Sequence, residues 1–112
     1  MVKTKTELTK IAEAYVKKLR EYRVHVEKVI LFGSYARGTQ QENSDIDLAF
    51  VSEDFDHMNI LERQKLLSRC REGLIPTDVL AYSPAMLEKK KHNSPVVDSI
   101  LQEGISLYSH PR

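Results

Sequence analysis

Two aspartates alternate with apolar residues in the segment DIDLAFV, residues 45–51. Successive side chains of a β-strand point to opposite faces, so Asp45 and Asp47 share one face with Ala49, and the apolar residues between them point to the other. Ionised carboxylates this close together repel each other and lose hydration, a cost that something must offset. The segment therefore predicts a strand with one core face and one charged face, and the charge indicates a functional site.

The remaining sequence alternates between helical and strand-like patterns. Thr4 and Glu7 fit a capping box followed by apolar residues at helical spacing, which predicts an amphipathic helix over residues 5–22. Strands are predicted at 26–32, 45–51, 77–82 and 105–108. A short helix is predicted at 34–37, a polar loop at 38–44 and a longer helix over 56–73. Two further helices are predicted to start at Ser83-Pro84 and at Ser94-Pro95, the second of them ending at about residue 102. This order predicts an α/β (α+β) fold, a small mixed sheet with helices packed mainly on one face.

The length of 112 residues suits one core, so residues 1–112 are expected to form a single domain. No apolar run approaches the roughly 20 residues of a membrane span, and the N-terminus lacks the apolar core of a signal peptide. The single cysteine, Cys70, excludes an internal disulfide and fits a reducing compartment, so the chain is expected in the cytoplasm with no membrane contact. Its helix is expected to bury one face, made of Ile60, Leu67, Cys70 and Leu74.

Charge is distributed unevenly along the chain. The net charge of +1 gives no electrostatic reason to expect direct nucleic-acid binding. Residues 38–62 contain no Lys or Arg but seven acidic side chains, most of which are expected in solvated loops. Asp45 and Asp47 are the exceptions, because their neighbours are apolar.

A third acid lies in the strand-like segment TDVLAY, where Asp78 is the only carboxylate. If the second and third strands are neighbours, Asp78 converges with Asp45 and Asp47. Three carboxylates so close would raise one another's pKa unless divalent cations held them ionised. Oxygen ligands of this kind suit Mg²⁺ or Mn²⁺, so these three aspartates are the predicted metal ligands.

The pair Gly33-Ser34 follows the first predicted strand and precedes the short helix. Free backbone N–H groups at such a junction favour an anionic phosphate, and Ser34 adds a hydroxyl, unless Ser34 serves only as an N-cap. Arg37 is predicted either to neutralise phosphate charge or to form a surface ion pair with Glu42. Together with the aspartates, these residues suit phosphoryl or nucleotidyl transfer.

These motifs together resemble the minimal nucleotidyltransferases of the DNA polymerase β superfamily. The signature of that group is a Gly-Ser pair, here followed after ten residues by Asp45-Ile46-Asp47, and a third acidic strand residue, here Asp78. The ending EGISLY, residues 103–108, is also similar to theirs. The resemblance implies a nucleotidyltransferase fold, a nucleoside triphosphate donor (above all ATP) held by Gly33 and Ser34, and two metal ions at Asp45 and Asp47. It also implies that Asp78 joins one metal and helps to activate the acceptor hydroxyl.

The resemblance also suggests a partner. Larger superfamily members carry a second domain, and this sequence ends soon after its fourth predicted strand, so we expect either a homodimer or a separate helical protein to complete the site. The group often occurs beside a small helical HEPN-type toxin, which implies an antitoxin that transfers AMP to a hydroxyl of that toxin. Two alternatives stay open: an antitoxin that neutralises its partner by contact alone, and aminoglycoside modification, which the lack of a second substrate-binding domain disfavours.

Overall fold

The computed structural model describes residues 2–71, 73 and 75–111. No helix among these residues has both the length and the apolar character that crossing a bilayer requires. The described elements are helices α1 (Lys5–Glu21), α2 (Ser34–Arg37), α3 (Ile60–Cys70), α4 (Pro84–Lys90) and α5 (Pro95–Glu103), a 3₁₀ helix (Glu53–His57), and strands β1 (Lys28–Phe32), β2 (Ile46–Val51), β3 (Thr77–Tyr82) and β4 (Ile105–Ser109).

Side-chain caps determine where the helices begin. The predicted capping box of α1 is confirmed, because Thr4 and Glu7 exchange backbone-to-side-chain hydrogen bonds of 2.9 and 3.2 Å. The N-caps of α4 and α5 are serines followed by proline, as predicted. The helix expected from residue 56 begins only at Ile60, because Asn59 and Glu62 form a second capping box there.

The sheet has the strand order β3-β2-β1-β4. Strand β1 pairs antiparallel with β2 and β4, whereas β2 and β3 are parallel and are connected through α3. The carboxyl end of β1 therefore meets the amino ends of β2 and β3 at one edge of the sheet. At that edge Asp47 pairs with Phe32 of β1 and with Asp78 of β3.

Helices cover both faces of the sheet. The two longest, α1 and α3, pack on the face that carries Leu48 and Phe50, and α4 and α5 pack on the face that carries Ala49 and Val51. The α/β class and the small mixed sheet are confirmed, and the larger part of the core lies on the face covered by α1 and α3, whereas α4 and α5 cover a smaller core on the other face. After Asp47, the face of β2 that carries the charge continues with the apolar residues Ala49 and Val51, and helices must also bury these residues.

Helix α3 buries only part of its predicted face. Leu67 and Cys70 are buried as predicted, whereas Ile60 is 64% exposed, so its predicted place in the core was wrong. Its neighbour Leu61 is 58% exposed as well, because the first turn of α3 lies outside the core. The predicted position of Leu74 lies outside the described residues.

Candidate active site

Gly33 links the end of β1 to the start of α2. It has φ +72° and ψ −151°, a left-handed conformation that disfavours side chains, and its carbonyl accepts hydrogen bonds from the N–H groups of Ala36 and Arg37, both at 3.1 Å. Gly33 is the N-cap of this four-residue helix and Ser34 is the first helical residue. The alternative role of Ser34 as an N-cap was therefore wrong.

The carboxylate of Asp47 lies directly against Gly33. A Cβ atom at Gly33 would overlap Asp47 Oδ2 and would lie 2.9 Å from Asp47 Cγ. Only glycine lets the turn approach the carboxylate this closely. The Gly-Ser pair and the Asp-x-Asp motif are thus brought together at one point.

The three aspartates converge at the same edge of the sheet. Asp47 is half-buried on β2, Asp45 is exposed just before β2, and Asp78 is exposed on β3. Burial raises the pKa of the Asp47 carboxyl, and the negative charges of Asp78 and Asp45 raise this pKa further. The predicted adjacency of the second and third strands is confirmed, and both Asp45 and Asp78 lie within electrostatic range of Asp47.

The chemistry of these side chains fits a hard divalent cation, because carboxylate oxygens are the ligands that Mg²⁺ and Mn²⁺ prefer. A cation between them would also relieve the repulsion that raises the pKa of Asp47. As the described side chains stand, however, no three His, Cys, Asp or Glu residues form a group that could hold a metal ion. The role of Asp45, Asp47 and Asp78 as metal ligands stays a prediction.

Arg37 completes the site from the end of α2. Its Nη1 lies 3.7 Å from Glu103 Oε2 of α5. Its positive charge offsets part of the rise in the pKa of Asp47. The sequence suggested Glu42 or a phosphate as the partner of Arg37, and did not suggest Glu103. The only sequence signal for Glu103 was its place in the EGISLY ending, which gives no indication that the residue approaches Arg37.

The raised pKa of Asp47 predicts how the metal-free protein responds to pH. The folded state binds the Asp47 proton more tightly than the unfolded chain does, so this contribution to stability is fully present below the ordinary pKa of 3.8 and is lost as pH rises through the higher folded pKa. At pH 7 the ionised carboxylate therefore destabilises the folded protein. Asp47→Asn is expected to increase the free energy of unfolding in EDTA by about 0.5 kcal/mol, a small value because solvent screens a half-buried group.

Urea unfolding of both proteins at pH 7 and near pH 4 checks this expectation. The difference in stability is expected to shrink at the lower pH, where wild-type Asp47 is more often protonated. A variant less stable than wild type at pH 7 would contradict the destabilising role of the charge.

A hydrogen bond between helix α1 and strand β3 supports the strand next to Asp78. The hydroxyl groups of Tyr15 and Thr77 lie 3.0 Å apart, and Tyr15 is buried. Tyr15→Phe removes this bond and is expected to lower the free energy of unfolding by about 1 kcal/mol. Tyr22, the C-cap of α1, is 46% exposed, so Tyr22→Phe is the matched control. Equal losses of stability in the two variants, measured by thermal unfolding, would refute the role of the bond.

A family model described as "Polymerase beta, Nucleotidyltransferase" matches residues 13–112, which include every element of the site. The chain belongs to this nucleotidyltransferase family. The resemblance and the fold that the sequence predicted are therefore confirmed, and so is the prediction of a nucleotidyltransferase.

Individual relatives extend this assignment. The chain is 38% identical to "Putative protein adenylyltransferase MJ0604" of Methanocaldococcus jannaschii over 79% of this chain and 84% of that protein. It is 46% identical to "Protein adenylyltransferase MntA" of Shewanella oneidensis, over 66% of this chain and 55% of that protein. A solved structure described as "the toxin-antitoxin with AMP-PNP" contains a similar chain, with a TM-score of 0.58 and 26% identity over 88% of this chain and 73% of that one.

Proposed function

We propose that this protein is a metal-dependent nucleotidyltransferase that moves AMP from ATP to a hydroxyl group of a protein partner. We further propose that it acts in the cytoplasm as the antitoxin of a HEPN-type toxin–antitoxin pair. The observation that carries the proposal is the parallel pairing of Asp47 with Asp78 beside Gly33. This pairing brings acidic side chains from two strands to the turn that would hold a triphosphate.

The similarities support the choice of nucleotide and acceptor. Two relatives are named as protein adenylyltransferases, and the similar toxin–antitoxin structure was solved with AMP-PNP. A protein acceptor also suits the geometry, because Asp45 and Asp78 are exposed at the edge of the sheet. A macromolecular hydroxyl can approach there without entering a deep pocket.

The roles of the residues follow from their positions. Asp45, Asp47 and Asp78 would hold Mg²⁺ or Mn²⁺, which when bound neutralises charge on the triphosphate. Gly33 and Ser34 would hold the triphosphate, and Arg37 would contribute a positive charge from the end of α2.

In the transfer itself, the acceptor oxygen forms a bond to the α-phosphorus of ATP. The bond from the α-phosphorus to the bridging oxygen breaks, and pyrophosphate leaves. Asp78, which is exposed on β3, would accept the hydroxyl proton. No residue of the protein is covalently modified in this scheme.

Intact-mass spectrometry tests the proposal. The purified protein is incubated with Mg²⁺, each of the four nucleoside triphosphates in turn, and the product of the gene next to its own. The expected result is that the partner gains the mass of one AMP unit with ATP. Neutralisation of the partner with no mass increase would instead show an antitoxin that acts by contact. In a parallel incubation with an aminoglycoside in place of the partner, an aminoglycoside that gains AMP would show a small-molecule enzyme.

A further inference from the structure

The family-like ending EGISLY has no role in the scheme above, yet it contacts α2, the short helix that follows the Gly-Ser pair. Glu103 is the last residue of α5 and Arg37 is the last residue of α2. Their side chains form an ion pair with a distance of 3.7 Å between Nη1 and Oε2. The ending EGISLY is thus connected to the helix that begins after the Gly-Ser pair.

Close packing fixes the position of Glu103. The next residue, Gly104, donates its N–H to the carbonyl of Ile100 at 3.1 Å. A Cβ atom at Gly104 would overlap that carbonyl oxygen and the side chain of Ile30 on β1. Strand β4 then follows at once and pairs with β1, so the end of α5 is held against the strand that leads into Gly33.

The ion pair contributes little to folding, because both side chains are close to half exposed, Arg37 at 48% and Glu103 at 43%. Its geometry suggests another use. A guanidinium group has five N–H donors in a planar fork, and one carboxylate near Nη1 leaves other donors for phosphate oxygens. Arg37 on a four-residue helix would otherwise sample many rotamers, and each phosphate contact would have to offset that entropy.

We propose that Glu103 is a positioning residue, which holds the guanidinium group of Arg37 in place to bind the triphosphate beside Asp47. This inference rests on the proposed function, because it assumes that a nucleoside triphosphate occupies the turn at Gly33. It assigns the ending EGISLY to the active site, with Gly104 placing α5 and Glu103 orienting the arginine.

A different ion pair in the same chain provides a control. Glu88 and Lys91 form an exposed pair of 2.6 Å at the end of α4, between residues three positions apart. This pair stays within one short segment, whereas Arg37 and Glu103 join two helices that flank the site. Glu88→Gln therefore removes an exposed ion pair without affecting the arrangement around Asp47.

The test is a double-mutant cycle measured as the Kd of AMP-PNP with Mg²⁺, which requires no acceptor protein. Arg37→Gln is expected to raise Kd about tenfold, and Glu103→Gln about three- to fivefold. The double variant is expected to match Arg37→Gln alone, because Glu103 acts only through Arg37. Glu88→Gln is expected to leave Kd unchanged, and all four variants are expected to unfold within a few degrees of wild type.

Any other pattern of Kd values in this cycle overturns the inference. A Glu103→Gln variant that binds like wild type would show that Arg37 needs no orientation, and tighter binding would show that Glu103 competes with phosphate. A loss that persists in the Arg37→Gln background would show that Glu103 acts by another route. If wild type binds AMP-PNP but no AMP transfer occurs, only the proposed function fails. If wild type binds no nucleotide, both fail.

Discussion

Asp47→Asn is expected to lower the rate of AMP transfer at least about a thousandfold, which corresponds to about 4 kcal/mol of lost transition-state stabilisation. Asp47 pairs with Asp78, lies against Gly33 and is close enough to Asp45 and Arg37 for their charges to change its pKa. A neutral amide has nearly the same shape but cannot neutralise a divalent cation. The rate is measured with labelled ATP, Mg²⁺ and the partner protein.

The exposed aspartate of α5 is the matched control for this prediction. Asp98→Asn removes the same charge from the first turn of α5 and is expected to leave the rate unchanged. Asp47→Asn is meanwhile expected to be slightly more stable than wild type, so loss of activity cannot be attributed to unfolding. Equal transfer by Asp47→Asn and wild type would remove Asp47 from the mechanism.

Gly33→Ala is expected to reduce transfer at least about a hundredfold. The added Cβ would overlap Asp47 Oδ2 and lie 2.9 Å from its Cγ, so the carboxylate must move away from the turn. Alanine would also have to adopt φ +72° and ψ −151°, a conformation that is nearly exclusive to glycine and costs about 1 to 3 kcal/mol of stability. Both transfer rate and urea unfolding are measured, because the two effects have different causes.

Gly38→Ala separates these causes. Gly38 ends α2 with φ +75°, and a Cβ atom there would meet nothing within 4 Å. The variant is expected to lose about 1 to 2 kcal/mol of stability from backbone strain alone, less than Gly33→Ala, while it keeps most of its activity. If the two variants lose activity equally, backbone strain rather than displacement of Asp47 would be the cause.

Local patterns predicted most of the elements and the residues of the site. Alternation in DIDLAFV correctly assigned Ile46, Leu48 and Phe50 to the core and left Asp47 on the other face. The capping box at Thr4 located the start of α1. These features depend on residues a few positions apart, so the sequence contains the information that determines them.

Contacts between distant segments were not accessible in this way. The helical period placed Ile60 with Leu67, but whether the first turn of α3 reaches the core depends on how the helix lies across the sheet. The burial of Ala49 and Val51 depends on α4 and α5 packing against the face of the sheet that carries these two residues. The approach of Glu103 to Arg37 depends on the packing of Gly104 against Ile30.

The proposed activity requires that the three aspartates hold a divalent cation beside a triphosphate at Gly33 and Ser34. A crystal structure with Mn²⁺ and AMP-PNP, recorded with anomalous scattering from manganese, would locate both groups. We expect a manganese peak within ligand distance of Asp45 and Asp47, with the phosphates next to Gly33. Nucleotide bound elsewhere on the protein, or phosphates at Gly33 with no manganese at the aspartates, would rule out this site.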